Sequence, residues 1–392
     1  MTDPDSLKDT SIRFSYWIGE RDLQIQPETG MWCDAFPIQP NAGSSVTAIT
    51  YGDYFEGVRA FLIQNDGIRI HHALNRLFEA PRSFQDIDAI DIHLIKHGEF
   101  YHPGRVDIHL SGKRVSFLVN VALSKPGMAT AQNEFRLLER LSQTGCGQFL
   151  PEVFDLKKIG LPSGMALWIF SAEWLHGFHE WHLLRNPSDG KTGIVVWDSE
   201  QGHRWLSPHQ SGMVYHRIAE ILTCFYRLET GNQIFPWHHA AGDFIVRTDA
   251  DRVDVRLITV RQYHSMMDME MDSPEDVFLS IMLCLCNLSI RTRLDRQDGT
   301  GDYIWADSSV IPFTVAGFMD GLRKKEPVPF LPKHPADCFL EYVHAVTRDD
   351  MDQLCRAIVD SYNPRAPEIP LIHRQLSDHV TLLSHALTRL AG

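Results

Sequence analysis

Two imidazoles and a carboxylate stand close together at His238, His239 and Asp243, in the stretch PWHHAAGDFIV. These are the side chains that bind divalent metals or relay protons near neutral pH. The stretch reads as a glycine-containing loop between a helix and a strand, where functional groups are commonly presented. Packing explains the same residues if one histidine lies under Trp237 and the other caps a strand. Lys96, His97, Tyr101 and His102 gather basic and aromatic groups on a hairpin, where they can contact a ligand or form an ordinary sheet edge. Arg261 and Tyr263 follow a short strand; the guanidinium offers phosphate a bidentate fork, or rests on the surface with its stem on Tyr263.

The elements that must position these groups follow from periodicity. Residues 1–50 look irregular and strand-rich. Tyr51, Tyr54, Phe55, Val58, Phe61 and Leu62 fit a helical stripe, repeated by Ala73, Leu74 and Leu77. Residues 87–124 read as a β meander: Ile90, Ile92 and Leu94 alternate with polar partners, as do Val106, Ile108 and Leu110, and Ser111-Gly112-Lys113 closes a hairpin before Val115, Phe117, Val119 and Val121. AQNEFRLLERL, residues 131–141, is an amphipathic helix. A buried strand is predicted at Ala166–Phe170. The second half reads as mainly helical, with helices over Met213–Leu228, Val277–Ile290, Val315–Leu322, Cys338–Val346, Met351–Ile358 and Leu376–Leu390. Ser273-Pro274 has the form of a helix cap followed by proline in the first turn. Phe244–Val246 and Val253–Val260 form a hairpin. This gives an N-terminal extension over residues 1–85, a small β-rich lobe over 86–175 and a mainly helical lobe over 176–392.

Composition narrows the class. The chain has 392 residues and a formal net charge of −13. That length supports two domains or two lobes with a large core. The acidic balance argues against a nucleic-acid or anionic-membrane partner, which would need a basic face. The polar, acidic N-terminus has no secretory pattern, and the apolar window Val277–Ile290 is too short to span a bilayer. Seven cysteines with no CxxC pair read as reduced thiols of a cytoplasmic protein, with neither a zinc site nor a disulfide framework.

The order of β meander, one helix, more strand, a linker and a helical lobe holding a short hairpin resembles the protein-kinase-like fold, including its aminoglycoside-phosphotransferase relatives, over roughly residues 88–390. The resemblance implies an α+β, bilobal architecture. In EFRLLERL it makes Glu134 the carboxylate that orients a phosphate-binding lysine. In FLVNVALSK, Asn120 stands where that lysine is expected and Lys125 follows as the available cation. The strand-to-glycine passage IFSAEWLHGFHEW, residues 169–181, is similar to a kinase-like hinge. Aligning Asp243 and the strand after it with the metal-binding position puts the catalytic-base position near His238 and the second metal position at Thr259, a poor Mg²⁺ ligand beside carboxylate.

The resemblance therefore implies a nucleotide or phosphorylated small molecule as ligand, with Mg²⁺ and ATP as cofactors. It implies transfer of a phosphoryl or nucleotidyl group, with Asp243 and His238 as metal ligands and His238 or His239 as base. Lys125, Glu134, Lys96 and Arg261 would face the cofactor. The departures at Asn120, His238 and Thr259 suit a second reading, a catalytically inactive pseudokinase that binds or scaffolds a protein partner. A third reading is a His/Asp metal-dependent hydrolase on another α+β fold. YGDYFEGVRAF, residues 51–61, is also similar to fold-type IV aminotransferases, although helical packing accounts for its spacing.

Overall fold

The computed structural model describes residues 12–19, 23–37, 49–77, 86–198, 201–235, 240–250, 252–266, 271, 273–329 and 331–391. The chain is α+β and divides into two units, residues 1–139 with 151–175, and residues 140–150 with 176–392.

The first unit contains β1 (Arg13–Ile18), β2 (Leu23–Ile25), α1 (Tyr51–Leu77), β3 (Ile87–Leu94), β4 (His102–Leu110), β5 (Lys113–Ala122), α2 (Lys125–Ser142) as far as Glu139, β6 (Val153–Gly160) and β7 (Ala166–Glu173). Its seven strands form one sheet in the order β2-β1-β3-β4-β5-β7-β6. All neighbours are antiparallel except β1 and β3. Successive side chains of a strand point to opposite faces, so alternation sorts the sheet into two surfaces. Ile90, Ile92, Val106, Ile108, Phe117, Val119, Leu167 and Ile169 fall on one surface and pack against Tyr54, Phe55, Val58, Phe61 and Leu62 of α1. The start of α1 is fixed locally. The Thr50 hydroxyl accepts from the Asp53 backbone N–H at 3.1 Å, and the Asp53 carboxylate accepts from the Thr50 N–H at 2.9 Å. Residues 13–77 thus supply two strands and the covering helix of this unit.

The second unit contains β8 (Glu180–Arg185), β9 (Thr192–Trp197), β10 (Arg204–Trp205), α3 (Pro208–Cys224), β11 (Asn232–Ile234), β12 (Phe244–Asp249), β13 (Arg252–Leu257), β14 (Tyr263–Ser265), α4 (Pro274–Arg291), β15 (Leu294–Arg296), β16 (Tyr303–Trp305), α5 (Ile311–Arg323), α6 (Pro335–Val343), α7 (Arg348–Ser361) and α8 (Ile369–Ala391). The expected hairpin is β12–β13. The expected cap is present too: Ser273 and Asp276 form a reciprocal capping box with proline in the first turn of α4. The three-stranded sheet β10-β9-β8 and the hairpin β15–β16 were not expected in a region read as helical. The cysteine reading needs correction, because Cys146 and Cys224 form a disulfide. Among the described residues no helix is long and apolar enough to cross a membrane.

Helices α3 and α5 approach closely at glycine. A Cβ on Gly317 would collide with the His216 carbonyl oxygen of α3. Backbone can yield only by separating the helices, so Gly317→Ala is expected to cost about 1–3 kcal/mol, the range for overpacking. A lower urea midpoint would register it, and an unchanged midpoint would mean the two helices part without penalty.

Candidate functional site

The sheet surface opposite α1 is polar where a second apolar face would be expected. Register aligns Asp91, Asp107 and Ser116 across β3, β4 and β5. Asp107 is 2% exposed. One of its oxygens accepts from the Ser116 hydroxyl at 2.6 Å; the other lies 3.1 Å from Arg105 Nε and 3.3 Å from His93 Nε2. Burial alone would raise this carboxyl, but the hydrogen bonds from His93 and Ser116 and the charge of Arg105 outweigh it and hold Asp107 at about 2. Trp17 stacks on His93, with ring centroids 5.8 Å apart.

Further along β5 is Asn120, 5% exposed, whose side-chain oxygen accepts no hydrogen bond among the described residues. Helix α2 lies over this end of the surface, packing Ala131 and Phe135 against Phe170, Leu156 and Trp168. Glu134 shares the stripe Ala131, Glu134, Phe135 and Leu138, at the spacing of one helix face. It has no exposure at all. Burying a carboxylate is costly, so its place on an apolar stripe is informative. Lys125, the expected cation, is exposed and opens α2 instead of extending β5. The Ser124 hydroxyl caps the Gly127 N–H at 3.1 Å, which ends the strand and starts the helix there.

The basic and aromatic segment before β4 is largely consumed by packing. Phe36 contacts His97 and His102 edge-on, each at 4.8 Å, and the Tyr51 hydroxyl lies 3.3 Å from His97. Burial, then the neighbouring His97, lowers His102 to about 4; burial lowers His97 as well. Tyr101 packs edge-on against Phe170, while Lys96 is exposed. Partners such as Phe36 are distant in sequence, so local pattern could not reveal this cluster.

In the second unit, Asp243 heads the β12–β13 hairpin. Gly242 precedes it with φ 84°, a left-handed conformation that glycine adopts without strain. The Asp243 N–H donates to the Ala240 carbonyl at 3.2 Å, and the Asp243 carbonyl accepts from Ile258 at 2.9 Å. Its carboxylate pairs with Arg261 Nη1 at 3.2 Å. Arg261 is thereby brought to Asp243, and Thr259, 8% exposed, lies two residues before it. Tyr263 is drawn elsewhere: its hydroxyl donates to the Phe225 carbonyl at 2.7 Å, and Arg140 lies 5.2 Å over its ring. Burial pushes that phenol up to about 12. His238 and His239 lie outside the described residues.

Of the two magnesium ligands that the fold resemblance implies, Asp243 is paired with Arg261 and His238 lies outside the described residues. Mg²⁺ is held chiefly by carboxylate and phosphate oxygens. Here Asn120 is neutral, Thr259 supplies no carboxylate and the Asp243 charge is engaged by Arg261. Among the described residues no three His, Cys, Asp or Glu side chains gather as a metal site. The first unit offers a buried carboxylate and an amide oxygen unpaired among the described residues, and the second unit an Asp–Arg pair on a hairpin.

No protein-family model matches this chain, and no curated protein matches it. Among solved structures 81 chains match. One is WaaP in complex with acyl carrier protein, at 10% sequence identity and a TM-score of 0.24, covering 75% of this chain and 87% of that chain.

Proposed function

We propose that this protein is kinase-like and binds a nucleotide or another phosphorylated small molecule, acting as a binding module without magnesium-dependent transfer. The supporting observation is Glu134, a carboxylate with no exposure on the inward stripe of the helix that follows the meander. In the kinase-like arrangement this carboxylate orients the group that holds the phosphates. The element order agrees: meander β3–β4–β5, helix α2, strands β6 and β7, then a mainly helical unit with a hairpin headed by Asp243. Against transfer stand Asn120 in the lysine's place, Thr259 in a metal ligand's place and the Asp243–Arg261 pair.

Isothermal titration of the full chain with ATP, in EDTA and then in MgCl₂, tests this reading. Saturable binding that persists in Arg374→Gln is expected, changing less than about threefold on adding magnesium, a difference below 1 kcal/mol. No ADP should accumulate. Absence of heat at millimolar nucleotide would remove the nucleotide claim. The presence of Asp243 at the head of its hairpin favours phosphotransfer as the second reading; magnesium-dependent turnover abolished by Asp243→Asn would establish that reading instead.

A further inference from the structure

A groove of 610 Å³ opens on the second unit, among the end of β8, the β15–β16 hairpin and the start of α8. Its volume lies within the range of small-molecule sites. Arg185, Arg296 and Arg374 line it, with Asp302 and Tyr303. Three arginines line one concavity in a chain whose net charge is −13. Neither Arg185 nor Arg374 has a carboxylate within ion-pair distance among the described residues. Arg296 is already positioned. Its Nε donates to the Gly301 carbonyl at 3.0 Å, and its guanidinium carbon lies 5.7 Å over the Tyr303 ring. That leaves both Nη nitrogens without a hydrogen-bond partner among the described residues. Glu368, the acid beside Tyr303, is neutralised by Arg291 at 3.0 Å. Asp302 is therefore the one acid offsetting three arginines along the lining.

We infer that this groove is a binding site for a phosphorylated small molecule carrying a phosphomonoester dianion. Three arginines and one aspartate leave a local charge of about +2, which a phosphomonoester at about −1.5 to −2 matches near pH 7. Arg suits this role because its planar fork meets phosphate oxygens in pairs, and a pre-held Arg296 loses little freedom on binding. Tyr303, Pro370 and Leu371 add apolar surface beside the arginines, which an organic group on the phosphate would cover. The site uses none of Asn120, Glu134, Asp243 or Arg261, so it does not depend on the function proposed above.

Phenyl phosphate is a suitable probe because it joins a phosphomonoester to a ring. Titration of the full chain at constant ionic strength is expected to give saturable one-site binding with Kd below about 1 mM. Arg374→Gln and Arg185→Gln should each weaken it at least about tenfold. Both side chains are exposed, so melting temperatures should stay at the wild-type value. Asp302→Asn should tighten binding, and Arg261→Gln should leave it unchanged. Absence of saturation, wild-type affinity in both arginine variants, or loss of binding in Arg261→Gln alone would each overturn the assignment. The last result would locate the phosphate at the Asp243 loop.

Discussion

Lowering the pH from 7 to about 4.5 is expected to cost the second unit about 2–3 kcal/mol through one side chain, His379 on α8. This imidazole is 1% exposed. Its Nδ1 lies 3.0 Å from Arg293 Nη1, and arginine can only donate, so Nδ1 must carry the lone pair. The proton therefore sits on Nε2, which donates to the Ser289 hydroxyl at 3.0 Å; that hydroxyl donates in turn to the Cys286 carbonyl at 2.9 Å. Protonating Nδ1 would place a hydrogen against the guanidinium and a second positive charge in the core. Burial first, and Arg293 second, lower His379 from 6.5 to about 3. Arg293 itself, lowered to about 10 by burial, stays charged throughout this range.

The unfolded chain takes up a proton below about pH 6.5 while the folded one refuses it until about pH 3, so stability falls as pH drops through that window. At pH 4.5 the cost is about two pH units at 1.36 kcal/mol each. Urea midpoints at pH 7 and 4.5 measure it. His379→Gln can keep an acceptor for Arg293 and a donor for Ser289 but has no proton to gain. It should lose less stability on acidification than the wild type, by about 2–3 kcal/mol. An equal acid loss in both proteins would refute the assignment. In the first unit His102, lowered to about 4 by burial and by His97, adds an acid cost of the same sign.

What was legible in the sequence divides along local and non-local lines. The meander could be read because Val106, Ile108 and Leu110 face one way while Asp107 and His109 face the other, and one buried surface fixes such a register. The start of α4 could be read because Ser273, Pro274 and Asp276 are a self-contained cap. Strand β9 carried a signal in its run Ile194, Val195 and Val196, and Asp298-Gly299 marks a turn between β15 and β16, with φ 54° and 70°. Both lie in a half of the chain whose periodicity is mainly helical. Glu134 was named from its helix, but its full burial depends on contacts beyond the helix. The Asp243–Arg261 pair joins two residues already singled out, through a hairpin that brings their chain segments together. The arginine groove had no local signal: Arg185, Arg296 and Arg374 come from separate stretches and meet only through β8, β15 and α8.

Reduction of the Cys146–Cys224 bond is expected to be the largest single loss of stability, about 4.5 kcal/mol by the chain-entropy relation for a loop of this length. The cysteines are 78 residues apart in sequence, with Cα atoms 6.2 Å apart, a normal separation for a disulfide. Cys224 is the last residue of α3, while Cys146 lies in the short connection after α2. Cutting the bond lets the unfolded chain explore all arrangements of the intervening segment, and that gain in entropy opposes folding. Of the remaining cysteines, Cys284, Cys286, Cys338 and Cys355 are buried and Cys33 is exposed. Burial pushes Cys284 up to about 12, which keeps it a thiol and makes it a poor competitor for exchange. Thiol titration in denaturant should accordingly count five reactive groups in the oxidised protein and seven after reduction. Urea midpoints with and without dithiothreitol give the energy. Cys146→Ser should match the reduced wild type in stability and respond no further to reductant. Coincident unfolding curves for oxidised and reduced protein would show that the bond does not hold this unit together.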